Sequence, residues 1–230
     1  QAAIPKLREL SQPLGGLLGS SGQRSLEVSD AGGGLIRLVV PQAAKLAQPY
    51  LDLSRIPLAH FADAATKEIN AQQEKDVAEV MTTTDRRLFD LDRMGIDIQV
   101  VAPAPPQCYY SVDPKIAESA HRLANDGVAE YCARRPDRFI GLGVVTLQEP
   151  ELAVRELDYL MNDLKLKGVE ILTNVDGQEL SEAKFRPFFA RAEQLGAFIM
   201  MHPNGFTHGE RLTHFYFNNV LGNPLDTTLA

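Results

Sequence analysis

The second half of the chain alternates short apolar runs with longer amphipathic stretches. The apolar runs are rich in β-branched residues and predict buried strands. They lie at 96–102, 139–145, 169–173 and 197–202. The stretches between them place apolar residues at helical spacing, and two of these helices are expected to begin at Pro114 and Pro150. Strand starts near 139, 169 and 198 are 30 and 29 residues apart, a period that predicts right-handed βαβ units and a parallel sheet.

The first 94 residues have a less regular pattern. Within residues 24–40, two strand-like runs flank the glycine-rich segment 30–34, which predicts a β-hairpin. No linker, low-complexity tract or repeat beyond the βα period interrupts the chain. We therefore expect residues 1–230 to form a single domain, with the hairpin as a small insertion within it.

Two α/β architectures are consistent with this order of elements, the doubly wound open sheet and the (β/α)8 TIM barrel. A doubly wound nucleotide-binding fold carries a glycine-rich phosphate loop after its first strand. Here Gly141 and Gly143 lie inside a predicted strand, and the glycines of 30–34 lie in the predicted hairpin. The barrel is therefore the favoured fold, although only four of the eight parallel strands that a barrel needs are visible.

Composition and charge narrow the possible functions. The 230 residues include 23 Lys and Arg against 30 Asp and Glu, and the net charge of −7 disfavours a nucleic-acid partner. No apolar run approaches the roughly 20 residues that span a bilayer, so we expect no membrane insertion. Cys108 and Cys132 form no C-x-x-C motif, which disfavours a disulfide scaffold or a cysteine-ligated zinc site. A cytoplasmic location is the resulting expectation.

Functional side chains of α/β folds gather at the carboxyl ends of the strands. His202 is the strand-end residue that can bind a metal or transfer a proton, although a hydrogen-bonded structural histidine fits the pattern as well. One imidazole is not a metal site, because catalytic zinc takes about three protein ligands. Tyr109, Asn174 and Asn204 are candidates for binding a substrate, with aromatic packing and turn formation as the alternatives. Asp226, at a predicted helix start, is interpreted as a helix cap.

Six short motifs occur in a fixed order through the second part of the chain. They occupy residues 92–100, 135–143, 147–153, 167–171, 202–203 and 222–228. In order and spacing they resemble the amidohydrolase superfamily, specifically the branch around aminocarboxymuconate semialdehyde decarboxylase. The resemblance implies a (β/α)8 barrel that holds one divalent metal ion, usually zinc, in a protein that is often a homodimer.

The resemblance assigns His202 to the metal-ligand histidine at the end of the fifth barrel strand. It implies that the His-x-His pair of the first strand lies upstream of Gln1. It also implies that the proton-transfer histidine and a ligand aspartate lie beyond Ala230. The chain is therefore expected to be an incomplete barrel without its first and last strands, and its catalytic residue is unknown.

The predicted hairpin resembles a small β insertion that the family carries near the active site. Arg37 is nominated to bind a substrate carboxylate, because a guanidinium pairs with a carboxylate in bidentate fashion. A solvent-exposed Arg37 without this role is the alternative. Pro41 stands where the decarboxylase pattern has a second arginine, and this departure argues against the muconate substrate itself.

The predicted function is metal-dependent, non-oxidative decarboxylation of a small aromatic or unsaturated carboxylic acid. The bound metal would stabilise the negative charge that develops as the carbon–carbon bond breaks. Hydrolysis of an amide, ester or lactone at the same metal is the first alternative, because a fold does not determine the reaction. A non-catalytic homologue that has lost the site is the second.

Overall fold

The computed structural model describes residues 27–30, 35–39, 41–50, 63–65, 67–69, 72 and 84–230. Within these ranges the strands are β1 (Glu27–Asp30), β2 (Leu35–Val39), β3 (Gln99–Pro103), β4 (Phe139–Gly141), β5 (Gly168–Leu172), β6 (Asn174–Val175), β7 (Gln178–Glu179) and β8 (Phe198–His202). The α-helices with defined bounds are α1 (Pro41–Ala47), α2 (Thr84–Met94), α3 (Pro114–Ala133), α4 (Pro150–Asn162), α5 (Arg186–Leu195) and α6 (Asn223–Leu229). Residues 64–65, 67–69 and 72 are helical as well.

The parallel strands succeed one another across the sheet in the same order as along the chain. β2 pairs with β3, β3 with β4, and β5 with β8, all in parallel. A bridge between Gly143 and Val169 joins the two groups, and the Gly143 amide donates to the Gly168 carbonyl at 2.9 Å. A doubly wound sheet reverses its strand order at a switch point, and the described strands show no such reversal. The chain is thus α/β, with the strand order typical of a barrel.

β1 and β2 pair antiparallel at the outer edge of this sheet, with Glu27 opposite Val39. β2 also pairs in parallel with β3, where Leu35 lies opposite Val100. The second strand of the predicted 24–40 hairpin is therefore a member of the main sheet as well. Residues 24–26, 31–34 and 40 lie outside the described residues, so the extent of the hairpin and its status as an insertion stay predictions.

β3 begins later than the apolar run that predicts it. The structure starts this strand at Gln99 rather than at residue 96. The Arg138 guanidinium takes the backbone carbonyls that a neighbouring strand would otherwise use, at 2.6 Å from Asp97 and 2.9 Å from Ile96. Hydrogen bonds from the Arg138 side chain, just before β4, thus take the place of strand-to-strand hydrogen bonds at the amino end of β3.

β4 ends at Gly141 and is therefore shorter than the predicted strand at 139–145. Three residues further on, the buried side-chain amide of Asn125, on α3, forms hydrogen bonds with both backbone groups of Val144. Its Nδ2 donates to the Val144 carbonyl at 2.9 Å, and its Oδ1 accepts from the Val144 amide at 2.8 Å. The strands predicted at 169–173 and 197–202 are confirmed as β5 and β8, with boundaries that differ by at most one residue.

The helix ends follow from local residue chemistry. α3 begins at Pro114, as predicted, and Asp113 caps it by accepting from the Lys115 amide at 3.0 Å. α4 begins at Pro150, also as predicted. Gly196 ends α5 with φ 62°, a left-handed conformation that glycine adopts without a Cβ clash. None of the helices in the described part of the chain has both the length and the hydrophobicity needed to cross a lipid bilayer.

Candidate functional site

The carboxyl ends of β3, β5 and β8 surround a cavity of about 260 Å³. Its wall consists of the loop after β3, the end of β5 with the turn that follows, the loop after β8, and one residue of α6. Barrel proteins bind their substrates at this end of the strands. Three residues nominated from the sequence, Tyr109, Asn174 and Asn204, all line the cavity. The structure thus brings these three side chains together.

Tyr109 and Tyr110 form one segment of the cavity wall. They follow the 3-10 turn Pro105–Cys108, and Tyr109 has φ 49°, a left-handed conformation that is uncommon for a residue other than glycine. Both side chains are buried. Burial raises the pKa of the Tyr109 hydroxyl to about 12 and raises the pKa of Tyr110 well above its usual value. Both hydroxyls are therefore protonated at neutral pH.

The buried carboxylate of Asp226 joins three segments of the cavity wall. One oxygen accepts a hydrogen bond from the Thr173 hydroxyl, just after β5. The other accepts from the amide and the hydroxyl of Thr207, in the loop after β8, at 3.4 Å each. The interpretation of Asp226 as a helix cap is wrong, because α6 has Gly222 at its cap position and no side-chain cap. The carboxylate instead fixes two threonines of the cavity wall.

Asn174 contributes both to a turn and to the cavity. Its Oδ1 accepts from the Gly177 amide at 2.9 Å across the β6–β7 turn, where Asp176 and Gly177 both have positive φ. Asp-Gly favours this conformation in two-residue hairpins. Its Nδ2 donates to the Thr207 hydroxyl at 3.4 Å. Asn204 reaches the same cavity from the loop after β8.

His202 ends β8 and lies opposite Leu172, which lines the cavity from β5. Its ring is half-buried, and Nδ1 lies 2.6 Å from the carbonyl oxygen of Pro203. Because a carbonyl only accepts hydrogen bonds, Nδ1 carries a proton and the neutral ring has its lone pair on Nε2. Metal-bound histidines are oriented in this way by a hydrogen bond from the other ring nitrogen. The chemistry of His202 therefore fits that of a metal ligand.

The described residues do not complete a metal site. In the ranges that the structure describes, no group of three or more His, Cys, Asp and Glu side chains comes together to hold an ion. Catalytic zinc takes about three protein ligands, and His202 alone supplies one.

The described wall of the cavity carries negative charge. Asp176 and Asp226 line it, and its described lining residues include no Lys or Arg. Arg37 lies on β2, opposite Ala102 of β3 and Ser29 of β1. Its side chain lies outside what the structure describes, so its role in binding a carboxylate stays a prediction.

The strand order and the position of the cavity define a class of protein, an α/β chain of barrel type with a cavity at the carboxyl ends of its parallel strands. The family can be named as well. The chain belongs to the amidohydrolase family, whose model, described as Amidohydrolase, matches residues 57–221. The resemblance drawn from the six motifs is thereby confirmed.

Two curated relatives carry the names of decarboxylases. 2-Amino-3-carboxymuconate-6-semialdehyde decarboxylase from Dictyostelium discoideum is 33% identical over 146 residues, which cover 64% of this chain and 41% of the relative. Gamma-resorcylate decarboxylase from Rhizobium radiobacter is 35% identical over 125 residues, which cover 52% of this chain and 38% of the relative. The chain therefore spans about two fifths of the length of each relative.

Solved structures share the fold. The 2,6-dihydroxybenzoate decarboxylase from Rhizobium matches with a TM-score of 0.62 and 27% identity, over 68% of this chain and 52% of that chain. The 5-carboxyvanillate decarboxylase from Novosphingobium aromaticivorans, complexed with manganese and 4-hydroxy-3-methoxy-5-nitrobenzoic acid, matches with a TM-score of 0.63 and 24% identity. That match covers 77% of this chain and 53% of that chain.

Proposed function

We propose that this protein is a metal-dependent, non-oxidative decarboxylase of an aromatic or unsaturated carboxylic acid. The observation that carries the proposal is the cavity at the strand ends, where two buried tyrosines lie close to the end of the strand that bears His202. A planar acid packs well against aromatic side chains. The decarboxylase names of the two relatives and of the solved neighbours support the same reaction.

The residues present fit one ligand of a divalent metal ion. His202 would hold the ion through Nε2, and the hydrogen bond from Nδ1 to Pro203 would fix the ring. Its other ligands are proposed to come from residues outside this sequence. When bound, the metal would act as a Lewis acid that stabilises negative charge on the reacting acid. Zinc is the ion of this proposal, and manganese occupies the solved neighbour.

The chain's own side chains would bind and orient the acid. Tyr109 would donate a hydrogen bond to a polar group of the substrate, since its hydroxyl is protonated and the residue lines the cavity. Asn174 and Asn204 would offer amide groups from two other segments of the wall. Arg37 would pair with a carboxylate from β2. None of these side chains is assigned the proton transfer, which is proposed to belong to a histidine beyond Ala230.

The proposal extends to the assembly of the protein. Residues 1–230 would be one domain of an incomplete barrel whose first and last strands lie outside this sequence, which agrees with the two fifths of each relative that the chain spans. A homodimer is proposed on the family resemblance. A cytoplasmic location is proposed because Cys108 and Cys132 are both free thiols, the state that a reducing compartment maintains.

Product analysis on the intact protein tests this function. The protein is incubated with 2,6-dihydroxybenzoate, 5-carboxyvanillate and a panel of aryl amides, esters and lactones, with zinc or manganese added. We expect carbon dioxide from the carboxylic acids, with resorcinol as the second product from 2,6-dihydroxybenzoate. His202→Ala should abolish turnover and metal binding, whereas His208→Ala, at an exposed histidine of the next loop, should retain both.

The alternatives give different results in the same assay. Acid released from an amide, ester or lactone without carbon dioxide from any carboxylic acid would make the protein a hydrolase. An intact protein that holds no stoichiometric divalent ion and turns over none of these compounds would be a non-catalytic homologue. Either result contradicts the decarboxylase proposal.

A further inference from the structure

A buried polar cluster joins the loop after β3 to helices α3 and α4. His121 of α3 is fully buried. Its Nε2 lies 3.0 Å from the Cys108 carbonyl oxygen, and its Nδ1 lies 3.0 Å from the Thr146 hydroxyl. Glu156 of α4 accepts from that hydroxyl at 3.0 Å and lies 3.7 Å from Nδ1. The imidazole also stacks on the ring of Tyr109, with centroids 5.7 Å apart.

The hydrogen bonds of this cluster connect three segments of the chain. Because a carbonyl only accepts, Nε2 of His121 donates to the Cys108 carbonyl. Nδ1 faces the Thr146 hydroxyl on the other side of the ring. The Glu156 carboxylate in turn accepts from the amide and the hydroxyl of Thr146. His121 is thus held between the loop after β3 and the segment that Glu156 fixes.

Hydrogen bonds from His121 and from Gln148 fix the backbone on both sides of a strained residue. Tyr109 is in the left-handed conformation, with φ 49°. His121 binds the carbonyl of the residue before it, and the Gln148 side chain donates to the Tyr109 carbonyl at 3.2 Å and to the Val112 carbonyl at 3.1 Å. Strained residues persist where the surrounding structure holds them, and they cluster at binding sites. The residue held in this way is a wall residue of the cavity.

We propose that His121 is a positioning residue for the cavity, which acts with Thr146 and Glu156 to hold the Cys108 carbonyl and the Tyr109 ring. In this arrangement the two adjacent tyrosines are fixed where they line the cavity. The placement follows from contacts within the chain. Its effect on substrate binding rests on the proposed function.

Tyrosine NMR on the intact protein tests the placement independently of activity. The protein is labelled with 13Cζ-tyrosine, and the Tyr109 resonance is assigned with Tyr109→Phe. In the parent protein Tyr109 should stay protonated through pH 11, since burial raises its pKa to about 12. His121→Leu removes both ring hydrogen bonds and should let the loop open, so that the pKa of Tyr109 falls toward its usual value near 10.

Two conservative variants and one control separate positioning from general stability. His121→Gln keeps a donor at the Nε2 position, and Glu156→Gln keeps an acceptor oxygen for the Thr146 amide and a polar partner for its hydroxyl. Both variants should therefore leave Tyr109 protonated through pH 11. Asn125→Leu removes a second buried polar side chain of α3, which binds Val144 rather than the loop after β3. It should destabilise the protein and leave the pKa of Tyr109 unchanged. If His121→Leu does not fold, His121→Asn, which reaches Thr146 but not Cys108, replaces it.

An unchanged Tyr109 titration in the folded His121→Leu or His121→Asn variant would overturn the proposal. An equal fall in Asn125→Leu would overturn it as well. Binding of 2,6-dihydroxybenzoate, measured by calorimetry, adds the functional readout: His121→Leu should bind at least 10-fold more weakly than His121→Gln. If the parent protein binds none of the acids tested, the proposed function fails while the tyrosine titration still decides the placement.

Discussion

Asn125 links α3 to the segment after β4, and its replacement by aspartate exchanges a single NH₂ group for an oxygen. The amide is buried, with Oδ1 accepting from the Val144 amide at 2.8 Å and Nδ2 donating to the Val144 carbonyl at 2.9 Å. Asn125→Asp keeps the first hydrogen bond. The hydrogen bond to the Val144 carbonyl is lost, because a carboxylate oxygen now faces that carbonyl oxygen. The substitution also buries the negative charge of the new carboxylate, which is unfavourable.

The size of the effect follows from these two contacts. A buried hydrogen-bonding group that loses its partner costs about 1–3 kcal/mol, and a charged group costs more. Asn125→Asp should therefore lower the free energy of unfolding by about 3–5 kcal/mol at neutral pH. Asn125→Ala leaves both backbone groups of Val144 unpaired without adding a charge, and should cost about 2–4 kcal/mol. Asn162→Asp, at the exposed end of α4, is the matched control and should change stability by about 0.5 kcal/mol or less.

Urea denaturation of the intact protein at neutral pH and at pH 5 measures these differences. Burial raises the pKa of the introduced carboxyl above its value in the unfolded chain. A protonated carboxyl can also donate to the Val144 carbonyl, as the amide did. The penalty is therefore fully present above the folded-state pKa and becomes smaller as the pH falls through it. Asn125→Asp should recover stability relative to the parent at pH 5, and Asn125→Ala should not. Equal losses of unfolding free energy in the two variants at both pH values would contradict the pair of hydrogen bonds between Asn125 and Val144.

Asp226, Gly168 and the partly buried thiol of Cys132 allow three further predictions. Asp226→Ala removes the carboxylate oxygens that accept from Thr173 and Thr207, so calorimetry should show binding of 2,6-dihydroxybenzoate weakened by about 10-fold. Gly168→Ala would place a Cβ 1.8 Å from the Phe198 carbonyl oxygen, so circular dichroism should show no folded protein, whereas Gly95→Ala, with open space around its Cβ, should fold. Burial raises the pKa of Cys132 to about 12, as it does for Tyr109. Urea midpoints should therefore be constant near neutral pH and fall as the pH rises above about 9, and Cys132→Ala should reduce that fall.

Hydrophobic periodicity was sufficient to predict the bounds of β5 and β8. β5 and β8 match their apolar runs, because the signals that end them, such as Pro203, are local. β3 and β4 are shorter than their runs because distant side chains take over the backbone groups. Arg138 acts 41 residues from Asp97, and Asn125 acts 19 residues from Val144. No pattern in a single sequence reports contacts of this kind.

Some residues of the candidate site could likewise be predicted from the sequence, and others could not. Tyr109, Asn174 and Asn204 could be placed because the carboxyl ends of parallel strands converge. Asp226 could not, because its partner Thr173 lies 53 residues away and a helix-start aspartate has a simpler interpretation as a cap. His121 did leave a local signal.

That signal lies in the apolar stripe of α3. His121 shares the stripe with Ala117, Ala124 and Val128 at helical spacing, and all four residues are buried. A polar side chain on a buried helix face must find a hydrogen-bond partner inside the protein. The stripe could therefore indicate a buried partner for His121, although only the structure shows which groups it binds.

The charge of the cavity limits how a substrate acid can be oriented. Its described wall carries Asp176 and Asp226 without a Lys or Arg, so a carboxylate is repelled from that side. In the proposed function the substrate carboxylate is therefore directed to a metal held by His202 or to Arg37. A ring hydroxyl at the opposite end of the acid can donate to an aspartate, which turns the same negative charge into an attraction. Under the proposed function, the wall would favour a hydroxylated acid in one orientation, with the carbon–carbon bond that breaks next to the positive charge.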